Sequence, residues 1–202
     1  MDFGIMRYCN SFWLSDDTWS AERVRHYVYG AGIPFPPEAL GVWVVSGNEE
    51  KITQEKVSYL CRSRMPGGLG FCAPLQNMSS GILGKTGKEI ELYKRIRPFL
   101  KGETYRLFPQ SKNLNVWDGF QYRLPDRDES VVLVYRMKGS AETRVNLGGL
   151  DPGRGYILSE EDGEGSIVTT GGRLMKEGFI CALKKTKSCS VVWMKPVKQK
   201  NR

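Results

Sequence analysis

Apolar and polar residues alternate along the first hundred positions in two different periods. A short apolar run at Phe12-Trp13-Leu14 predicts a strand. It is followed by Val24, Tyr27 and Val28 at helical spacing, with Asp17 or Thr18 as the start signal and Gly30 as the stop. After the Pro-rich link Ile33-Pro34-Phe35-Pro36-Pro37, the run from Gly41 to Val45 is apolar throughout, as expected of a strand covered on both faces. A helix is predicted over 53–64, with Val57, Leu60 and Cys61 on one side, then a strand over 69–73. A third helix is predicted over 87–97, with Ile90, Tyr93 and Ile96 inward. Strand–helix repeats at this spacing imply parallel βα units.

The texture changes after Leu100. Short strand-like runs recur over 104–108, 120–123, 130–136, 143–147, 156–159, 179–183 and 190–194, separated by turns rich in Gly, Pro and Asp. The pattern predicts an α/β part at 1–102, an antiparallel all-β part with the character of a β-sandwich at 103–197, and a basic tail at 198–202. Three βα units cannot close a parallel barrel, which needs eight, so the first part reads as the end of a larger barrel.

The net charge of +8 adds little to this picture, because seven basic residues and no acidic ones occur from Phe179 onward, and without them the balance is +1. The excess reads as a solvated tail, which argues against nucleic acid as a partner. No apolar run approaches the length of a membrane span and no signal peptide is evident, so no membrane partner is expected and the location reads as cytoplasmic. Five cysteines without C-x-x-C spacing and a single histidine, His26, argue against a metal site; Cys61 and Cys72 read as core thiols. No cofactor is called for. Association as a homo-oligomer stays open.

The candidate chemistry lies near the start. Asp16 closes a short apolar run just before a helix start, where aromatic walls would raise its proton affinity toward what a general acid needs. The plainer role for Asp16, and the favoured one for Asp17, is a helix N-cap. Trp13 is the aromatic best placed to line a pocket.

The run Asp2-x-Gly4-x-x-x-Tyr8-x-x-x-x-Trp13-x-Ser15-Asp16-x-Thr18 resembles the region around the acid/base of the α-galactosidases of glycoside hydrolase family 36. The following Glu22-Arg23-Val24-Arg25-His26-Tyr27-Val28-Tyr29-Gly30 is similar to a helix of that family, and Pro36-Pro37-Glu38-Ala39-Leu40-Gly41 to the segment after it. Gly67-Gly68-Leu69-Gly70 resembles the last barrel strand, and Leu92-Tyr93-Lys94-Arg95-Ile96-Arg97-Pro98 the final barrel helix. Trp117-Asp118-Gly119-Phe120-Gln121-Tyr122 and Gly149-Leu150-Asp151-Pro152 resemble the family's C-terminal β domain.

The resemblance implies a retaining mechanism with two carboxylates, in which Asp16 is the acid/base, Trp13 and Asp17 lie at the substrate site, and the substrate is an α-linked galactoside. It also implies that the nucleophile and most sugar-binding residues belong on earlier strands. Only fifteen residues precede Asp16, so the chain alone is expected to be inactive. Two other readings remain: a fragment of a raffinose synthase-like galactosyl transferase, or a β-sandwich module that binds glycan or another subunit without catalysis.

Overall fold

The computed structural model describes residues 4–16, 20–45, 51–111 and 116–198. The chain divides into two compact units, Met1–Lys101 and Gly102–Arg202.

Unit 1 carries a three-stranded parallel sheet in the order β1 (Phe12–Trp13), β2 (Leu40–Val45), β3 (Gly68–Cys72). Between β1 and β2 lies α1 (Ala21–Ala31), and between β2 and β3 lies α2 (Val57–Arg62); α3 (Ser80–Ile96) follows β3. One sheet face is sealed: Phe12, Leu40 and Val42 pack with Val24 and Val28 of α1 and with Phe35 and Ala39. The opposite face presents Trp13, Gly41, Trp43, Gly68 and Gly70, because partners in a parallel register point the same way and side chains alternate along each strand.

Helix boundaries differ from the sequence expectation for local reasons. Ser20, not Asp17 or Thr18, caps α1: its hydroxyl accepts from the Arg23 N–H at 3.3 Å. Gly30 does not stop α1, which continues to Ala31 with Gly32 as its C-cap. The third helix begins seven residues before Gly87, with Ser79 as its cap, and its buried stripe runs through Thr86, Glu89, Leu92 and Ile96. Glu89 displaces Ile90 from the expected inward position because Arg62 waits for it on α2. Cys72 is exposed rather than in the core, since it closes β3 on the sheet face opposite the one packed against α1.

Buried arginines tie these helices together. Arg25 donates to Ser63 Oγ at 2.7 Å and to the Tyr59 hydroxyl at 3.2 Å, and the same hydroxyl donates to Glu22 Oε1 at 3.0 Å. Arg64 donates from Nε to the Trp43 carbonyl at 3.2 Å, fixing the end of α2 to the middle of β2. Buried charges survive only when paired or hydrogen-bonded in this way.

Unit 2 is antiparallel. A six-stranded sheet runs in the order β4 (Glu103–Arg106), β5 (Asp118–Leu124), β6 (Glu129–Arg136), β11 (Ser188–Pro196), β8 (Gly155–Glu160), β9 (Ser166–Thr170). A two-stranded sheet pairs β7 (Glu142–Val145) with β10 (Phe179–Ala182). Val132, Val134, Tyr156, Leu158, Val192 and Met194 from the larger sheet share one core with Val145 and Cys181 of the smaller, and with Leu174 of α4 (Gly171–Lys176). The pattern missed β9, whose Ser166-Ile167-Val168-Thr169-Thr170 lacks a buried face, and took the Gly171-Gly172 start of α4 for a turn.

Candidate active site

The C-terminal ends of parallel strands are where α/β folds place their chemistry. Asp16 is three residues past the end of β1, and the backbone in between is held to β2 by the Leu14 N–H, which donates to the Gly41 carbonyl at 3.2 Å. Asp16 is exposed. Its Oδ1 accepts a hydrogen bond of 2.6 Å from Trp13 Nε1, so the aromatic residue meets the carboxylate with an N–H and not with the face of its ring.

Trp13 is itself 45% exposed and makes an edge-on contact with Trp43 of β2, the ring centroids 4.8 Å apart and the planes at 67°. Gly70 of β3 lies beneath Trp43: a Cβ added there would stand 3.0 Å from Trp43 Cε2. The three strands therefore present a row, Trp13–Trp43–Gly70, beside the carboxylate. The sequence pattern singled out Trp13 and Asp16, which the fold brings together. Asp17, and Asp2 at the start of the motif, lie outside the described residues. The sequence pattern did not single out Trp43 and Gly70; the signal for Trp43 is that it follows Val42, a residue of the covered face, and so points to the open one.

A group that delivers a proton needs an oxygen that its own partners leave accessible. Asp16 accepts from Trp13 through Oδ1 and is exposed, so the carboxylate remains open to an incoming group. Among the described residues no group of three or more His, Cys, Asp or Glu could hold a metal ion. No helix is long and apolar enough to cross a membrane among them. A cavity of about 650 Å³ lined by Asn10, Glu38, Tyr93, Arg97, Pro98 and Lys101 opens at the opposite, N-terminal ends of β1 and β2.

No protein-family model matches the chain. The α-galactosidase 1 of Pediococcus pentosaceus is 29% identical over 184 residues, and α-galactosidase Mel36A of Lactobacillus acidophilus is 30% identical over 183 residues. Each match takes in 88% of this chain but 24% of the relative, so the chain spans about a quarter of the length of these proteins. In structure, a substituted form of the GH36 α-galactosidase AgaA of Geobacillus stearothermophilus, in complex with raffinose, superposes with a TM-score of 0.80 at 21% identity, over 96% of this chain and 27% of that one; this is a likeness of fold. Over 88% of its length the chain is a homologue of α-galactosidases, and in fold it is like those of glycoside hydrolase family 36.

Proposed function

We propose that the chain supplies the proton-transferring carboxylate, Asp16, of a retaining α-galactosidase, and that the nucleophile comes from barrel strands outside this sequence. In the first step Asp16 gives its proton to the glycosidic oxygen as a second carboxylate attacks the anomeric carbon and the C–O bond to the leaving sugar breaks. In the second, ionised Asp16 takes a proton from water as the water oxygen displaces that carboxylate from the anomeric carbon. Trp13 orients the donor, and the exposed part of its ring offers an apolar surface to the sugar.

The observation that carries this reading is the position of Asp16, directly past the C-terminal end of a parallel strand and fixed by the Trp13 indole. Unit 1 is read as the last three βα units of an eightfold barrel, supported by its all-parallel order and by the contrast between one helix-covered face and one glycine- and tryptophan-bearing face. Unit 2 is read as the β-sandwich domain that follows, supported by two antiparallel sheets sharing a core. An α-linked galactoside as substrate is supported by the relatives' names and by the raffinose complex of the structural neighbour.

The 202-residue chain should leave aryl α-galactosides untouched. In a longer protein that carries the remaining barrel strands, Asp16→Ala should lower kcat on raffinose by about 100- to 10,000-fold while sparing substrates whose leaving group needs no proton. Equal losses on both substrate types would remove Asp16 from this role, and turnover by the chain alone would remove the need for a second carboxylate from elsewhere.

A further inference from the structure

We propose that Trp43 and Gly70 are positioning residues that set the orientation of Asp16 through Trp13, so that one carboxylate is aimed by residues on three adjacent strands. The chemical meaning of this inference rests on Asp16 as proton donor; its geometry does not.

The hydrogen bond from Trp13 Nε1 to Asp16 Oδ1, at 2.6 Å, fixes the carboxylate only as well as the indole itself is fixed. Trp13 stands at the end of a two-residue strand with nearly half its surface open, and nothing in its own strand stops the ring from turning. The constraint comes from the side. Trp43 meets the Trp13 ring edge-on with centroids 4.8 Å apart, a favoured geometry for aromatic pairs because the positive edge of one ring faces the negative face of the other. Trp43 takes up that position because it lies down across β3 at Gly70, its register partner. A Cβ at Gly70 would stand 3.0 Å from Cε2, 3.1 Å from Cδ2 and 3.2 Å from Cγ of Trp43.

The glycine's backbone is not in the left-handed region, so conformational freedom is not its reason for being there; the absence of a side chain is. A methyl group at position 70 would push the Trp43 ring back by a few tenths of an ångström, which loosens its edge contact with Trp13 and through it the hold on Asp16, although position 70 touches neither Trp13 nor Asp16 in the register.

The test reads the side-chain N–H signals of the five tryptophans by NMR in the full chain, with Trp13→Phe assigning the Trp13 signal. Asp16→Asn should move the Trp13 Nε1–H signal and leave those of Trp117 and Trp193 in place. Gly70→Ala and Trp43→Ala should speed solvent exchange of Trp13 Nε1–H by about fivefold, as expected when a hydrogen bond of ordinary strength loses its support. Trp43→Phe, which keeps an aromatic edge contact, should restore exchange close to the starting rate.

Unchanged Trp13 exchange in Gly70→Ala, in protein whose circular dichroism matches the parent, overturns the inference. So does equal acceleration by Trp43→Phe and Trp43→Ala. If Trp43→Ala unfolds unit 1, Gly70→Ala and Trp43→Phe still decide. The proton-donor reading fails separately, on the kinetics of Asp16→Ala in the longer protein, and its failure would leave the indole signals as stated.

Discussion

Arg62 and Glu89 form a bidentate ion pair between α2 and α3, Nε to Oε2 at 2.9 Å and Nη2 to Oε1 at 3.1 Å, with side chains only 9% and 6% exposed. Such a pair contributes geometry more than net stability, because removing both ions from water costs about as much as their attraction returns. Losing one partner is a different matter. Glu89→Gln or Arg62→Met should destabilise unit 1 by about 3 to 5 kcal/mol by leaving an uncompensated buried ion. The double variant Arg62→Met/Glu89→Met should recover most of that loss. Urea denaturation followed by tryptophan fluorescence checks both, and a double variant as unstable as the singles would show that the pair adds attraction beyond its desolvation.

Thiol reactivity should divide the five cysteines by position. Cys9 and Cys72 are exposed, while Cys61, Cys181 and Cys189 are buried. Burial pushes the Cys61 thiol up to about 12 and the Cys181 thiol up to about 11, with the nearby Glu89 and Glu160 carboxylates adding to the shift. Only the thiolate attacks a disulfide reagent. At pH 8 the native protein should release two equivalents of thionitrobenzoate rapidly, with the other three appearing only in denaturant. Rapid reaction of a third thiol would place one of the buried cysteines within reach of solvent.

The same shifts set a pH dependence. Cys61 and Cys181 titrate higher in the folded chain than their ordinary 9.0, and burial also raises the Tyr59 hydroxyl. The unfolded chain therefore loses these protons first, so stability is intact below about pH 9 and falls as the pH climbs toward 12. The urea midpoint should drop between pH 9 and 10.5, and Cys61→Ala should flatten part of that drop in unit 1. A midpoint unchanged over this range in the parent protein would contradict the burial of these groups.

Asp128 in the β5–β6 turn offers a test in unit 2. It accepts from Arg123 Nη2 at 2.9 Å and from the Tyr156 hydroxyl at 2.7 Å, and Arg154 Nη1 lies 3.1 Å away. Its backbone sits at φ 53°, which Asn tolerates and Ala does not. Asp128→Asn should cost about 1 to 3 kcal/mol through the lost charge, and Asp128→Ala about 1 kcal/mol more through backbone strain. Equal losses in the two variants, measured by urea denaturation, would remove strain from the account.

Gly178 combines a left-handed φ of 68° with a close approach, since a Cβ there would run into the Val145 carbonyl oxygen on the neighbouring strand. Gly178→Ala should lower the stability of unit 2 by at least about 1 kcal/mol, and Gly178→Asn, which tolerates the angle but not the crowding, should be no better. A neutral Gly178→Ala would mean that the β7–β10 pair shifts at little cost.

Much of this architecture was readable in the sequence because it rests on local signals. The helical spacing of Val24 and Val28 marks the helix that covers β2; the apolar run before Val45 suggests cover on both faces, whereas the structure seals one and leaves Trp43 on the other beside the exposed Trp13. The features that escaped depend on partners distant in the chain. Glu89 turns inward against its polarity because Arg62, twenty-seven residues earlier, neutralises it. Asp16 and Trp13 were legible as neighbours three residues apart, whereas the support from Trp43 and Gly70 exists only once three strands lie side by side. β9 escaped for the opposite reason: its residues meet nothing on their exposed faces, so no alternation was imposed on them.

That last strand has a practical consequence. β9 bonds to β8 on one side only, and its five residues are uncharged and mostly β-branched, with Ile167 55% and Val168 66% exposed. Such an unguarded rim is a template for cross-β growth between molecules, so concentrated samples are where insoluble material should start to accumulate. A single lysine at position 168 would act as a gatekeeper there without touching the carboxylate chemistry of the first unit.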